Sequence, residues 1–493
     1  MKSVRADDGN DEAFGYGDFL SPFTWRYGSQ EMRALFSEKR KRVTWRRVWL
    51  ALAESEANHR LLTKDELADI RTFAAEKYVD IAKAHELERT IRHDLMAELR
   101  VFASQAEKGG GKLHLGATSM DIEDNADVIV LAKACDFVLS KLVTCLSALK
   151  EQILKHKETV CMAWTHLQPA EPSTLGYRLA VYAQDLVLDV QFLEFVRSSL
   201  LRGKGIKGAV GTSASFLALL GNVDKVAEME RGVMKSLEIE AFDVATQTYP
   251  RKVDFLVLSA LASIAQSCHK FGLDLRVLQS PAFGELSEPI GEKQVGSSAM
   301  PFKRNPVSSE RMCSLARFAS ALPSVAFMNA ATSILERTLD DSAARRIIIP
   351  EAFLAVDECL ATYAELIGGL IVHPAMMKRN LDKFGPFAGT EAVMMKLVQK
   401  GGDRQKIHED FRQKSFRAWE EVMNGHPNPL ERELSSDKAI AKVLNRKEIH
   451  RLLDPTNHVG DAPARCVWFV ENRINPAIRR HRPANNVLGR SRF

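Results

Sequence analysis

Apolar residues recur through the middle of the chain with the spacing of one face of an α-helix. The clearest stripe steps by three or four residues and consists of Leu131, Cys135, Val138, Leu142, Leu146, Leu149 and Ile153. Similar stripes run from about 174 to 201, from about 251 to 278, onward from Pro306, and from about 343 to 371. Five helices of roughly 20–30 residues predict an elongated bundle. The third is apolar almost all round between Phe255 and Ile264, which predicts burial on every side and association between bundles.

The same pattern divides the chain into four predicted segments of an all-α fold. Residues 1–20 are polar and glycine-bearing, so they are expected to be disordered. Residues 21–118 are interpreted as a helical N-terminal domain, and residues 119–372 as the long-helix bundle, which also carries a distinctive polar loop. Residues 373–493, where the segments shorten and glycine and proline return, are expected to form a helical C-terminal domain with a basic tail.

The composition is that of an ordinary globular protein, with 45% hydrophobic and 27% charged residues. Lys plus Arg exceed Asp plus Glu by 68 to 63, which is too little to indicate a nucleic-acid partner but suits an anionic small substrate. No apolar run approaches the roughly 18 residues of a membrane span, so no membrane partner is expected. The seven cysteines lack metal-ligand spacing and the N-terminus is acidic, so we expect a cytoplasmic protein without a metal.

The most distinctive polar stretch is Gly-Ser-Ser-Ala-Met-Pro-Phe-Lys-Arg-Asn-Pro at 296–306. Asn305 is a favourable N-cap and Pro306 a favourable first helical residue, so a helix is predicted to begin here. Two serines and Lys303 therefore precede a helix N-terminus, where developing negative charge is stabilised. On spacing alone, an ordinary connecting loop is an equally good interpretation.

Two histidines stand in polar settings that suit acid–base chemistry. His166 follows Thr165 in Thr-His-Leu-Gln-Pro-Ala, just before the second long helix, and histidine ordinarily titrates near neutral pH. His93 lies between Arg92 and Asp94, so the carboxylate could orient its ring. The alternatives are an incidental surface histidine at 166 and an interhelical ion-pair cluster at 92–94.

Two further stretches are candidates for binding an anion. The segment 203–215 matches a dinucleotide-binding glycine spacing, but it follows a helix rather than a strand. It is interpreted as a cationic loop able to hold a carboxylate or phosphate, or as a simple connection. The segment 336–346 opens the fifth helix, with Ser342 as predicted N-cap between Arg337 and Arg346, which suits a phosphate. Capping with surface ion pairs to Asp340 and Asp341 is the alternative.

Together these stretches resemble a known family. The loop at 296–306 is similar to the signature GSSxMPxKxNP of the fumarase/aspartase superfamily, and four other blocks follow its pattern: RHD at 92–94, GATS at 116–119, THLQPA at 165–170 and ERTLDDSAARR at 336–346. Arg304, the TQTYPRK segment at 246–252 and the block at 336–346 resemble the adenylosuccinate lyase family within it. The resemblance spans roughly 20–475. Phe302, where tyrosine or histidine is common, is a departure with no assigned chemistry.

The resemblance implies an all-α fold in which four copies of the long-helix bundle form a homotetramer whose active sites are shared by three subunits. It implies β-elimination of fumarate from adenylosuccinate, giving AMP, and from SAICAR, giving AICAR, without a metal or organic cofactor. The alternatives are a superfamily lyase acting on argininosuccinate, aspartate or malate, and an inactive structural paralogue. The first group of substrates lacks the phosphate that 336–346 suits, and the loop and histidine motifs are intact.

The resemblance also implies residue roles. Ser297 is the expected base, His166 the acid that protonates the departing nitrogen, and His93 an aid to binding. Lys303 and Asn305 are expected to hold the carboxylate that gains charge, and Lys303 also to favour the Ser297 alkoxide. Expected phosphate and nucleotide contacts are Arg26, Tyr27, Arg337, Ser342 and Arg346; expected fumaryl and base contacts are Thr118, Ser119, Gln247 and Arg311; Arg92, Asp94 and Thr165, beside the histidines, complete the substrate-binding set.

Overall fold

The computed structural model describes residues 15, 17–291 and 294–481 and is dominated by helices. The predicted disorder over most of 1–20 and the basic tail after residue 481 lie outside the described residues. The first helices are α1 Pro22–Trp25, α2 Gln30–Leu35, α3 Glu38–Asn58, α4 Lys64–Phe73, α5 Ile81–Ile91 and α6 Asp94–Gln105. The middle helices are α7 Ser119–His156, α8 Leu175–Phe195, α9 Ala214–Leu220, α10 Val223–Leu237, α11 Lys252–Gln279, α12 Val307–Ala321, α13 Pro323–Ala331 and α14 Asp340–Gly368.

The remaining helices are shorter. They are α15 Pro374–Ala388, α16 Thr390–Gln399, α17 Arg404–Met423, α18 Leu430–Ser436, α19 Lys438–Ala441, α20 Arg446–Leu453, α21 Ala462–Phe469 and α22 Asn475–Arg480. Within the described residues, strands occur only as two antiparallel pairs: β1 Val160–Thr165 with β2 Gln168–Thr174, and β3 Leu286–Ser287 with β4 Ile371–Val372. The predicted all-α class is therefore confirmed.

The five predicted long helices are confirmed as α7, α8, α11, α12 and α14, with boundaries shifted by a few residues. They pack together because the predicted apolar stripes converge: Leu142 and Leu146 of α7, Leu261 of α11 and Leu360 of α14 are fully buried in one core. After Phe195 the second helix passes into a π-helical turn, so it ends as an α-helix earlier than predicted. The fourth is interrupted at Leu322, after which Pro323 begins α13.

One expectation for α11 is not met within a single chain. Phe255 and Leu256 remain half-buried, so the helix is not covered on every side by its own subunit. A related feature lies on α8, where Val181, Leu188 and Phe195 are about half exposed at 50%, 55% and 52%. Their seven-residue spacing places them along one face of the helix. These two helices therefore keep apolar surface that the other described residues leave open.

Two other apolar clusters flank the long-helix core. One gathers Trp45 and Trp49 of α3 with Phe102 of α6 and also takes in Phe216 and Met229 from the region 206–237. The other lies among α16 to α20 and includes Val393, Leu430 and Ile449. The predicted domain boundaries at 118 and 372 remain predictions.

The hairpin β1–β2 was not expected from the sequence. Its two-residue turn consists of His166 and Leu167, both with left-handed backbone (φ of 56° and 59°), as in the tight turns that suit the twist of paired strands. Pro169 and Pro172 fall inside β2, and prolines weaken any strand signal because they cannot donate a ladder hydrogen bond. The turn rather than a helix-flanking loop therefore carries His166.

A buried carboxylate in α3 makes stability depend on pH. Glu56 is 1% exposed, and its Oε1 has no hydrogen-bond partner among the described residues. Burial raises the pKa of Glu56 from 4.5 to about 8. The folded chain therefore retains a proton that the unfolded chain has lost, and stability falls as pH rises through this interval.

We expect Glu56→Gln, which keeps the shape without the charge, to unfold at a higher urea concentration than the unaltered protein at pH 8 but at nearly the same concentration at pH 4.5. The expected difference at pH 8 is on the order of 1–3 kcal/mol, below the full value that the shift would allow. Urea unfolding at pH 4.5, 6 and 8 measures it, with the exposed Glu86→Gln as the surface control. A difference that does not grow with pH contradicts the assignment.

Candidate active site

The segment 296–306 forms a tight loop closed by its own side chains. The Nδ2 of Asn305 donates to the carbonyl of Gly296 at 3.0 Å. A Cβ atom on Gly296 would lie 2.5 Å from the carbonyl oxygen of Lys303, so this close approach requires glycine. Asn305 is thus not the N-cap that the sequence predicted, because its side chain closes the loop, and α12 begins at Val307 rather than Pro306.

The Ser297 hydroxyl sits at a turn that points backbone donors at it. Its Oγ accepts hydrogen bonds from the N–H groups of Ala299 at 3.4 Å and Met300 at 3.2 Å. Donors aimed at an oxygen favour its anionic form over its neutral form. Ser297 is half-buried, whereas Ser298 and Lys303 are exposed. The first serine of the pair is therefore the one whose oxygen is supported by the loop.

The N-terminus of α12 does not support that oxygen as expected. The carboxylate of Glu288 accepts from the N–H groups of Ser308 and Ser309, both at 3.1 Å, and from the Ser309 hydroxyl at 2.9 Å. Glu288 is fully buried, so these donors and the positive end of the helix are already matched by a carboxylate. The predicted contribution of this helix N-terminus to an alkoxide is corrected accordingly.

Three blocks distant in sequence meet around His93. Its Nδ1 accepts from the N–H of Met96 at 3.5 Å at the start of α6, so the neutral ring carries its hydrogen on Nε2, 3.4 Å from the Ser119 hydroxyl. Asp94 accepts from Arg346 at 2.8 Å. Although burial alone would raise the pKa of Asp94, Arg346 and Lys41 hold it below the usual value. The RHD, GATS and 336–346 blocks thus form one cluster.

The segment 336–346 is anchored by a buried ionic network. Arg337 donates to Asp341 at 2.9 Å, and the other oxygen of Asp341 accepts from Arg251 at 2.7 Å. Arg251 also donates to Asp124 of α7 at 2.9 Å. Asp341 is buried, so the alternative of surface ion pairs is wrong for this residue. Ser342 is not the N-cap, because α14 begins two residues earlier at Asp340.

The second half of the network surrounds Arg345. Its guanidinium donates to Asp254 at 2.7 Å, to Asp127 at 3.1 Å and to the hydroxyl of Tyr249 at 2.8 Å. Burial raises the pKa of Tyr249 well above its usual value, so the phenol stays neutral and donates to Asp254 at 2.6 Å. No role was assigned to these residues from the sequence, where the TQTYPRK segment at 246–252 and the tandem arginines and aspartates of 340–346 offered the signal.

A cleft of about 330 Å³ lies beside these two clusters. Asp94, Ser342 and Arg346 line it, together with Glu123 and Lys41. Burial, then the nearby carboxylates of Asp94, Asp127 and Asp124, raise the pKa of Glu123 to about 8. No lining residue comes from the loop 296–306 or from the hairpin turn. In one chain this cleft is therefore lined by the arginine block and by residues beside His93, without the loop or the turn.

The hairpin turn leaves Thr165 and His166 exposed. The base of the hairpin is fixed by Trp164, whose ring packs edge-on against Phe283 at 4.8 Å and Phe384 at 5.7 Å between centroids. The histidine is thus carried on a rigid support while its own ring remains open.

The other expected residues are distributed as follows. Arg26 lies over the rings of Trp25 and Tyr27, at 5.6 and 5.8 Å. The backbone of Thr118 donates to Asp121 at 2.9 Å, and the backbone of Gln247 donates to the carbonyl of Glu336 at 3.3 Å, which joins Gln247 to the arginine block. Arg92 ends α5 in the left-handed conformation and is exposed, and Arg311 is half-buried on α12.

The glycine-rich loop 203–215 does hold a carboxylate, but one of the chain itself. Asp121 accepts from the Lys204 ammonium group and from the N–H groups of Lys207 and Gly208, both at 3.1 Å. Lys204 and Asp121 are both fully buried. The loop therefore fixes the first turn of α7, next to Ser119, and its donors are used internally.

In the part of the chain that the structure describes, no three His, Cys, Asp or Glu side chains are grouped to hold a metal ion. Among the same residues, no helix combines the length and apolar character needed to span a membrane.

The fold is shared with solved enzymes, one of them a lyase. A fumarate lyase from Mesorhizobium superposes with a TM-score of 0.80 at 25% identity, covering 91% of this chain and 99% of that one. A 3-carboxy-cis,cis-muconate lactonizing enzyme from Pseudomonas putida gives 0.79 at 26% identity, covering 93% and 98%. A family model described as lyase matches residues 25–319. Fold and match define a lyase of the fumarase/aspartase type.

Proteins with related sequences narrow this class of lyase to one family. A model described as adenylosuccinate lyase C-terminus matches residues 386–466. Adenylosuccinate lyases from Schistosoma mansoni and Saccharomyces cerevisiae are each 39% identical to this chain over 94% of its length and 96% of theirs. The one from Pyrococcus horikoshii is 35% identical over 90% and 95%. The chain belongs to the adenylosuccinate lyase family.

Proposed function

We propose that this lyase eliminates fumarate from adenylosuccinate to give AMP, and from SAICAR to give AICAR, in the cytoplasm. The observation that carries the substrate assignment is the meeting of Arg346 and Ser342 with His93 and Ser119 beside one cleft. Arginine and a helix start provide the donors that a phosphate requires. The free, buried cysteines agree with a reducing compartment.

The reaction breaks a C–N bond after loss of a proton from the neighbouring carbon. In this proposal the Ser297 alkoxide removes the Cβ proton, supported by the N–H groups of Ala299 and Met300. The electron pair passes into the adjacent carboxylate, which Lys303 and the second N–H of Asn305 stabilise. The electron pair then returns to form the double bond of fumarate as the C–N bond breaks, and His166 gives a proton to the departing nitrogen. His93 and Ser119, which lie side by side, help to bind the substrate.

We propose a homotetramer whose sites take the loop, the hairpin turn and the arginine block from different subunits. Two observations support it. Within the part of the chain that the structure describes, nothing fully covers the apolar faces at Val181, Leu188 and Phe195 and at Phe255. The cleft at Arg346 is also lined in one chain without the loop or the hairpin turn, as expected if those come from other copies.

Fumarate release measured with adenylosuccinate, SAICAR, argininosuccinate and aspartate tests the substrate assignment. Turnover of the first two alone is expected, since they carry the phosphate that 336–346 is proposed to bind. Turnover of argininosuccinate without adenylosuccinate would overturn the choice of substrate. No turnover of any of them would favour an inactive paralogue.

Arg346 is expected to act chiefly in binding the phosphate. Arg346→Ala should raise KM for adenylosuccinate by about 10- to 100-fold with a smaller change in kcat, because a charge-assisted hydrogen bond contributes about 1.5–3 kcal/mol. The matched comparison uses the dephosphorylated succinyl-nucleoside, for which the substitution should change kcat/KM by less than about threefold. Equal losses with both substrates would assign Arg346 to the ion pair with Asp94 instead.

A further inference from the structure

The loop that carries Ser297 is attached at its C-terminal end by a buried carboxylate. Glu288 lies just after β3, twenty residues before Ser308 in the chain, yet it receives both N–H groups of Ser308 and Ser309 and the Ser309 hydroxyl. It takes the place of a local N-cap, since Pro306 has no side-chain acceptor. Glu288 therefore joins the chain entering the loop to the chain leaving it.

A second side chain makes the same connection. Gln279 is the last residue of α11, and its Oε1 accepts from the N–H of Glu288 at 2.9 Å. Its Nε2 donates to the carbonyl of Arg304 at 3.0 Å. One amide thus holds a residue on each arm of the loop. Because α11 belongs to the main core, both arms of the loop are attached to a rigid element.

Between the two links, the described contacts of the loop are largely its own. Between them, Asn305 closes on Gly296, and Ser297 faces the N–H groups of its own turn. The tip from Ser298 to Arg304 is exposed. The hydrogen bonds of Glu288 and Gln279 hold both arms of this loop, so they help to set the position of the Ser297 oxygen relative to the core. A displacement of about 1 Å in a reacting group can cost about 100-fold in rate.

We propose that Glu288 and Gln279 are positioning residues that clamp the base of the loop and thereby place Ser297 for proton abstraction. Neither belongs to the residues expected to touch substrate. Glu288 acts through three charge-assisted hydrogen bonds to the first turn of α12, and Gln279 couples that cap to Arg304. The catalytic part of this inference rests on the proposed function of Ser297.

The test is Glu288→Gln in the full-length enzyme. The amide keeps the size of the side chain but places an NH₂ group against N–H donors, so the cap loses at least one hydrogen bond. We expect kcat to fall about 10- to 100-fold while KM changes less than about threefold. Trypsin cleavage after the exposed Lys303 and Arg304 should accelerate by about fivefold or more in the folded enzyme.

The neighbouring serines provide matched variants. Ser309→Ala removes one donor to Glu288 and should shift kcat and cleavage in the same direction by a smaller factor. Ser308→Ala leaves the backbone donor in place and should change neither. Gln279→Leu should accelerate cleavage at Arg304 as well. Subunit assembly and the thermal midpoint should stay close to those of the unaltered enzyme.

Two outcomes would overturn the clamp. One is normal kcat and normal cleavage in Glu288→Gln. The other is faster cleavage throughout the chain with a lowered thermal midpoint, which would mean a general loss of stability. The clamp and the assignment of Ser297 as the base can fail independently. If Ser297→Ala remains active while the loop of Glu288→Gln is cleaved faster, the base assignment is rejected and the clamp is retained.

Discussion

Replacing Ser297 by alanine is expected to lower kcat by about 10²- to 10⁴-fold, the contribution typical of a positioned general base. The substitution removes the oxygen that accepts from Ala299 and Met300, and no other loop oxygen receives those two donors. KM and subunit assembly should change little, because Ser297 is half-buried on a loop and belongs to no core cluster. Initial rates over a range of adenylosuccinate concentrations measure both constants.

The adjacent serine is the matched control for this result. Ser298→Ala removes the same group one residue away, from an exposed position. It should retain far more activity than Ser297→Ala if the supported oxygen is the base. Loss of activity in the Ser298 variant with near-normal turnover in the Ser297 variant would transfer the assignment to the second serine.

His166→Gln is expected to lower kcat by a similar factor, because the departing nitrogen then leaves without its acid. The more informative experiment mixes this inactive variant with inactive Ser297→Ala. If each site takes the loop and the hairpin turn from different subunits, randomly mixed tetramers regain up to about one quarter of normal activity. The active sites in such a mixture are those that by chance receive both an intact loop and an intact turn.

The expected recovery requires exchange of subunits, so the two variants are mixed after dissociation and reassembled together. Each variant reassembled alone is the control and should remain inactive. Co-expressed chains with different affinity tags provide the same comparison for purified mixed tetramers. No recovery in verified mixed tetramers would mean that Ser297 and His166 act within one subunit, against the proposal of shared sites.

The long helices could be predicted because their signal is local and repeated. Leu131 to Ile153 repeats the helical period often enough to exclude a strand, and the stripe lies within α7 as predicted. The hairpin at 160–174 could not be predicted in the same way. It is short, and Pro169 and Pro172 lie inside β2, so neither alternation nor strand propensity identified it.

The candidate site could likewise be predicted only in part. The sequence motifs identified Ser297, His93 and Arg346 as candidate site residues. The structure brings His93 and Arg346 to one cluster. The sequence could not indicate which groups form hydrogen bonds with these residues. Asn305 and Ser342 have good capping side chains, yet Asn305 closes a loop and Ser342 lies inside the first turn of α14.

By itself, the sequence determined the all-α class, the long helices and the residue types that the chemistry requires, because helical period and motif spacing depend on near neighbours along the chain. Tertiary structure alone decided that Glu288 caps α12, that Asp121 fills the glycine-rich loop and that Arg345 joins three helices. The partners of Arg345 are as far as 218 residues away in sequence. Which buried donor meets which acceptor depends on packing in space, and no local pattern records it.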